Sequence, residues 1–245
     1  MIGLKNQKCF FSADFHLNPG ADASLLEKYL KLFKKDDHCF FLGDFFEVWY
    51  ENINSVPDGY EDILSLLKRT TSKGVVIHLL KGNRDFLAGK KMVEMTGIVL
   101  HDNPIILEYE EQKILLIHGD ELLSEDKSYQ RFKKIIRSKF MVGVSRFLPK
   151  KALKNISGEL RSVSKNKTQK LKEDSFKVDF KLINSLIEKE KINCIVAGHL
   201  HKKMLLTENF AHGEVNLHVL EQSGEIKIVY KILSKGILSE ELNLL

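Results

Sequence analysis

Residues 8–16 read KCFFSADFH, an apolar run that stops at a polar turn carrying Asp14 and His16. A short apolar run bounded in this way is the pattern of a buried strand. HCFFLGD (38–44), VVIHLLKGN (75–83) and KINCIVAGH (191–199) have the same form, and each also stops at residues with polar, metal-capable side chains. Between the runs the apolar spacing is helical: Leu25, Leu26, Tyr29, Leu30 and Phe33 over 21–35, and Ile63, Leu64, Leu66 and Leu67 over 60–72. A short helix is expected at 90–95 and another at 176–189. Further strands are expected at 99–100, 104–109, 113–117, 215–220 and 225–232. Alternating strands and helices predict an α/β fold of mixed β-sheets layered with helices. The late strands join without helices, so part of the sheet structure should be antiparallel.

The chain has 245 residues, 43% hydrophobic and 29% charged, which is enough for an α/β core with an insertion. Cys9, Cys39 and Cys194 all lie inside apolar runs and read as buried free thiols of a reducing compartment, not as nucleophiles. The N-terminus has no basic segment followed by an apolar stretch, and no apolar run reaches the length of a membrane span. A cytoplasmic protein is expected. The net charge of +5 is unevenly spread: residues 127–172 carry fifteen Lys/Arg and one acid, Glu159, a local charge of +14 that leaves −9 on the rest. In the same region Phe132, Ile135, Ile136, Phe140, Val144, Phe147 and Leu148 recur at three- and four-residue steps, an amphipathic helical pattern. Such a segment suits an anionic partner. Residues 126–173 are therefore expected to form a basic helical insertion in a core of 1–125 and 174–245.

Five strand ends carry the chemistry: Asp14-Phe-His16, Gly43-Asp44, Gly82-Asn83-Arg84-Asp85, His118-Gly119-Asp120 and Gly198-His199-Leu200-His201. Each alone is weak. Asp44 would read as a helix N-cap, Asn83 as a turn residue, and His199 with His201 as a pair on a turn. Together they bring carboxylate, imidazole and amide oxygen to one place, because ligands of α/β sheets bind beyond the carboxyl ends of the strands. A set without thiolate suits Mn²⁺, Fe or Zn²⁺ at a water-bearing site. Two ions sharing a carboxylate can activate a water and clamp phosphoryl oxygens. Arg84 would stabilise growing phosphoryl charge.

With these five motifs the sequence resembles the calcineurin-like metallophosphoesterases, whose pattern is D-x-H, G-D, G-N-[HR]-[DE], H and G-H-x-H. Within that superfamily LGDFFEVW (42–49), GNRDFLAGK (82–90) and HGDELLSEDKSYQRF (118–132) are similar to the UDP-2,3-diacylglucosamine pyrophosphatases of lipid A synthesis. The resemblance implies one metal held by Asp14, His16, Asp44 and His201 and a second held by Asp44, Asn83, His118 and His199, with Asp44 bridging. It implies catalytic roles for Arg84, Asp44 and His118, and two divalent ions, Mn²⁺ by expectation. Asn83, Arg84, Asp126, Tyr129, Ser164, Thr168 and His199 would contact the substrate or support such contacts. The implied reaction cleaves the UDP-sugar at its α-phosphate to UMP and the acylated sugar 1-phosphate, under a helical lid that holds the acyl chains.

The sequence departs from the family at Thr168 and Leu171, where Asn and Lys are usual, with Asn166, Lys167 and Lys170 nearby. The family's late Trp-His element is also missing. A related phosphoesterase acting on another nucleotide anhydride or phospholipid is the competing expectation. A nucleic-acid-binding module using the basic segment is a third. It is disfavoured because such a module needs no set of metal ligands, and because the segment lacks interleaved Tyr or Trp apart from Tyr129. The expected partners are a lipid-linked UDP-sugar and the anionic surface of the inner membrane, met from the cytoplasmic side by a peripheral, monomeric protein without nucleic acid.

Overall fold

The apolar runs become strands covered on both faces. The computed structural model describes residues 1–5, 7–52, 55–123, 131, 134–135, 137–149, 151–153, 155, 178–221, 228–233 and 236–241. Among them, β2 (Cys9–Ser12), β3 (His38–Phe41), β4 (Val76–Leu80) and β5 (Val99–His101) pair in parallel, and β11 (Ile228–Leu233) and β12 (Gly236–Glu241) add antiparallel strands, giving the order β12-β11-β2-β3-β4-β5. A second six-stranded sheet has the order β1-β6-β7-β8-β10-β9, from Ile2–Leu4, Ile105–Tyr109, Gln112–Ile117, Cys194–Ala197, Gly213–Val219 and Met204–Phe210.

Side-chain alternation explains why the runs are continuously apolar. In β3, Phe40 joins a cluster with Phe11, Leu107, Ile114, Leu116 and Val196, which lies between the two sheets. Its neighbours Cys39 and Phe41 pack the other way, against Leu26 and Tyr29 of α1 (Ser24–Leu30) and Ile63 and Leu67 of α2 (Glu61–Ser72). Met92 of α3 (Lys90–Thr96) joins the same layer. In β7, Leu115 and Ile117 turn outward onto Ile187 of a helix at Asn184–Glu190, here α5, while Ile114 and Leu116 turn inward. A strand sandwiched between helices and a second sheet has no polar face, and each Phe or Leu buried there contributes about 1.5–3 kcal/mol. The three thiols are buried and free, and burial pushes Cys9 and Cys194 up to about 12.

The helices expected at 60–72 and 90–95 are found at Glu61–Ser72 and Lys90–Thr96, while two others are shorter than their spacing suggests. Beyond Leu30 the bonds tighten to Leu32 N–H→Tyr29 O and Phe33 N–H→Leu30 O, a turn that delivers the chain to β3. The helix expected at 176–189 begins only at Asn184, after a turn closed by Ile183 N–H→Phe180 O; residues 176–177 lie outside the described residues. In the basic region α4 spans Lys139–Ser145, with the Ser138 side chain capping Met141 N–H.

The parallel register also lines up three imidazoles. His38 Nδ1 stands 3.0 Å from His78 Nε2, and His78 Nδ1 stands 3.0 Å from His101 Nε2. Asp36 and Asp37 face His38, while Asp102 and the N-terminus face His101. Burial, aided by His101 and His38, pushes His78 from 6.5 down to about 3. The unfolded chain therefore takes up a proton below 6.5 that the folded chain refuses until about 3, so stability falls as pH drops through that window. His78→Gln should reduce the stability lost between about pH 7 and pH 5 by about 2 kcal/mol, read from urea unfolding at both pH values. An unchanged loss would remove His78 as its source.

Candidate metal centre

Each of the five motifs follows directly on a strand: Asp14 on β2, Asp44 on β3, Asn83 on β4, His118 on β7 and His199 on β8. All five strands end at the same edge of the sandwich, so the two sheets deliver their motifs to one place. Of eight non-glycine residues with positive φ among the described residues, five are Asp14, His16, Asp44, His199 and His201. Left-handed backbone at such positions costs of order 1–3 kcal/mol, and it clusters where a site over-determines the turn. The glycines beside the motifs permit the close approach. A Cβ on Gly43 would come within 2.5 Å of His118 Nδ1, and one on Gly82 within 2.3 Å of the Asp44 amide nitrogen.

Hydrogen bonds lock the loops to one another. Asp85 accepts Phe45 N–H at 2.9 Å and Gly82 N–H at 2.6 Å, joining the second and third motifs. Asp14 Oδ2 accepts His199 N–H at 2.6 Å, joining the first and last. His118 Nδ1 stands 2.8 Å from Leu42 O, which makes Nδ1 the N–H donor and leaves the Nε2 lone pair toward the site.

Two groups of donor atoms result, Asp14, His16 and His201 in one and Asp44, His118 and His199 in the other, each mutually within 4.8 Å. In the first, His16 Nε2 and His201 Nε2 face each other at 3.3 Å, with Asp14 Oδ1 3.8 Å from His201. Two nitrogens on one tetrahedral ion at about 2.0–2.1 Å stand about 3.3 Å apart, so this spacing fits a shared cation. In the second, Asp44 Oδ1 lies 3.8 Å from His118 Nε2, and the His118 and His199 rings are 4.8 Å apart. Asp14 Oδ1 and His118 Nε2 are buried without a hydrogen-bond partner among the described residues. Unpartnered buried polar atoms converging in this way fit divalent metal ions.

The charges agree. Burial pushes Asp14 up to about 7, while Asp44 stays below the usual carboxylate range because His118, His16 and Arg84 outweigh its burial. Burial drives His16 and His199 down to about 3, leaving both neutral and able to ligate. Cations would compensate a buried carboxylate pair that protein groups leave partly uncompensated.

Asn83 and Arg84 join the cluster. Asn83 Nδ2 is 3.5 Å from His199 Nδ1, and Arg84 Nε is 3.6 Å from Asp44 Oδ2. The expected substrate positions Asp126, Tyr129, Ser164 and Thr168 lie outside the described residues, as does Leu171. Two groups at the site were not singled out for a role there by sequence reasoning. Arg137, from the basic region, donates from Nη2 to Gly82 O at 2.6 Å and to Asn83 Oδ1 at 2.8 Å. Its sequence signal was only its membership of a run of like charges. Glu47 contacts Arg84 Nη1 and lies 3.5 Å from His16 Nδ1. It stood in a distinctive stretch that carried no chemistry of its own.

Carboxylates and imidazoles gathered at strand ends into two cation-ready groups, beside a buried arginine, are the arrangement of a metal-dependent phosphoesterase. The profile of the calcineurin-like phosphoesterases matches residues 8–203, and the chain belongs to that family. It is 28% identical over 212 residues to UDP-2,3-diacylglucosamine hydrolase of Photorhabdus laumondii, covering 85% of each chain. Proteins of the same name from Stutzerimonas stutzeri (31% identity, 66% of this chain and 68% of the relative) and Serratia proteamaculans (26%, 86% and 88%) match similarly.

Proposed function

We propose that this chain hydrolyses the pyrophosphate of UDP-2,3-diacylglucosamine at the α-phosphate, releasing UMP and 2,3-diacylglucosamine 1-phosphate for lipid A synthesis. The observation that carries the reading is the convergence of two donor groups beside Arg84. The names of the relatives narrow the substrate. In this reading Asp14, His16, Asp44 and His201 would hold one divalent ion and Asp44, Asn83, His118 and His199 the other, with Asp44 contributing to both. Oxygen and nitrogen donors without thiolate are compatible with Mn²⁺, the ion proposed here. Bound ions supply acidification of a water and neutralisation of phosphoryl oxygens.

The chain's own groups do the rest. Asp44 stays charged at neutral pH and so remains available to both ions. The Leu42 carbonyl holds His118 in the tautomer that offers Nε2. Arg84, buried against Glu47 and Asp44, presents a fixed guanidinium to charge that grows on a phosphoryl oxygen. All seven ligand side chains come from one chain, so a monomer suffices.

Residues 126–173 are proposed as a lid over a core of 1–125 and 174–245. Supporting this, Leu148, Val142 and Leu153 pack on Tyr50, Phe86 and Leu87 of the core. Phe140 and Phe147 are each 77% exposed on the same basic region. Exposed aromatics among lysines suit the anionic inner membrane, at about 1 kcal/mol per basic residue near the surface. No helix among the described residues is long and apolar enough to cross a membrane.

Purified chain with Mn²⁺ and the diacylated UDP-sugar should release UMP. Poor release there, with efficient cleavage of other pyrophosphates, would favour the alternative nucleotide-anhydride substrate to which Thr168 and Leu171 point.

A further inference from the structure

We infer that Glu47 is the positioning residue that ties one metal ion to the phosphate-binding arginine, an inference resting on the two-ion reading above. The backbone puts it there. After β2 and β3 the chain runs on as a short parallel pair: His16 N–H donates to Asp44 O, Leu17 N–H to Phe45 O, and Glu47 N–H to Leu17 O at 2.8 Å, around the bridge Leu17↔Phe46. Trp49 N–H donates to Arg84 O at 2.9 Å and anchors the other side. Glu47 is thereby clamped between the first motif and the third.

Its carboxylate lies between both neighbours. Oε1 accepts from Arg84 Nη1, and Oε2 lies 3.5 Å from His16 Nδ1, an electrostatic contact longer than a hydrogen bond, on a ring nitrogen that has no hydrogen-bond partner among the described residues. His16 turns its other nitrogen, Nε2, to His201. The imidazole thus stands between a carboxylate and the metal-ready group. A carboxylate behind a ligating histidine fixes its tautomer and raises its basicity. Here the same carboxylate also holds Arg84, whose Nε has no hydrogen-bond partner among the described residues. Glu47 is only 7% exposed, and a carboxylate that deep requires cationic or donor partners. Its position therefore sets where both groups can be.

Glutamine has nearly the same shape but carries no charge and cannot present an oxygen to both neighbours, because one end of its amide is a donor. The test strips metal from wild type, Glu47→Gln, Arg84→Ala and the double variant, then titrates Mn²⁺ by calorimetry, with circular dichroism to confirm folding. Wild type and Arg84→Ala should each take up two ions with equal affinities. Glu47→Gln should bind one ion normally and the other about 10–100-fold more weakly. At saturating Mn²⁺ its kcat should also fall, and the double variant should lose less than the product of the single losses. Wild-type affinity for both ions in Glu47→Gln, or multiplicative kcat losses, would overturn the inference. Should Glu47→Gln not fold, Glu47→Asp keeps the charge but shortens its reach. It should weaken the same ion, and unchanged affinity and kcat there would overturn the inference equally. Fewer than two ions in wild type would remove the two-ion reading itself, a distinct result.

Discussion

Replacing Asp44 by alanine should lower Mn²⁺-dependent hydrolysis by at least about 10³-fold, about 4 kcal/mol of transition-state stabilisation. Asp44 is 2% exposed, sits 3.8 Å from His118 and 3.6 Å from Arg84 Nε, and accepts Arg84 N–H on Oδ1 at 2.9 Å. It is the carboxylate that both proposed ions would share, and it is the acid of the site held ionised by its surroundings. Alanine removes the shared ligand and leaves the cationic groups around it uncompensated. Turnover measured against metal content, with unfolding temperature as a control, tests this. Near-normal turnover in Asp44→Ala would sink the two-ion assignment.

Arg84→Ala should reduce kcat by about 10²–10³-fold while both ions still bind. The guanidinium touches Glu47 and Asp44 but is not itself a ligand, so its loss removes charge stabilisation and not metal. The same substitution leaves Glu47 buried without its main cation, which should lower stability by about 3–5 kcal/mol. Assays therefore belong well below the variant's unfolding temperature, with metal counted per folded chain. Loss of metal would make Arg84 a structural residue, contrary to its proposed role.

Much of the candidate site was legible because its metal-capable side chains sit where strands end. Asp14, Asp44, Asn83, His118 and His199 each follow an apolar run, and a parallel strand always delivers its C-terminal residue to the same edge. The elements that escaped notice lacked internal pattern. Strand β9 exposes Leu205, Leu206 and Glu208 in succession and is a strand because β10 pairs with it from Gly213 to Val219. Strand β1 exists through its pairing with β6, and β12 through its pairing with β11. Pairing supplied from elsewhere overrides weak local preference.

Arg137 shows the same limit at the site. Nothing local distinguishes it from the other basic residues of its segment, yet it alone among the described ones reaches Asn83. Phe140, Phe147 and Leu148 share one apolar stripe, but only Leu148 joins the core cluster, while both phenylalanines remain exposed.

The order and type of the candidate metal-binding residues, the α/β alternation and the run of basic residues over 127–172 are properties of the chain alone, since apolar period and donor chemistry are local quantities. The pairing of donors into two groups arises only when two sheets pack face to face, and the placing of the Glu47 carboxylate between His16 and Arg84 arises when the loops after β2, β3 and β4 pair with one another. Those contacts join residues as far apart as Asp14 and His201, and a distance of that kind is set by packing, which no local pattern encodes.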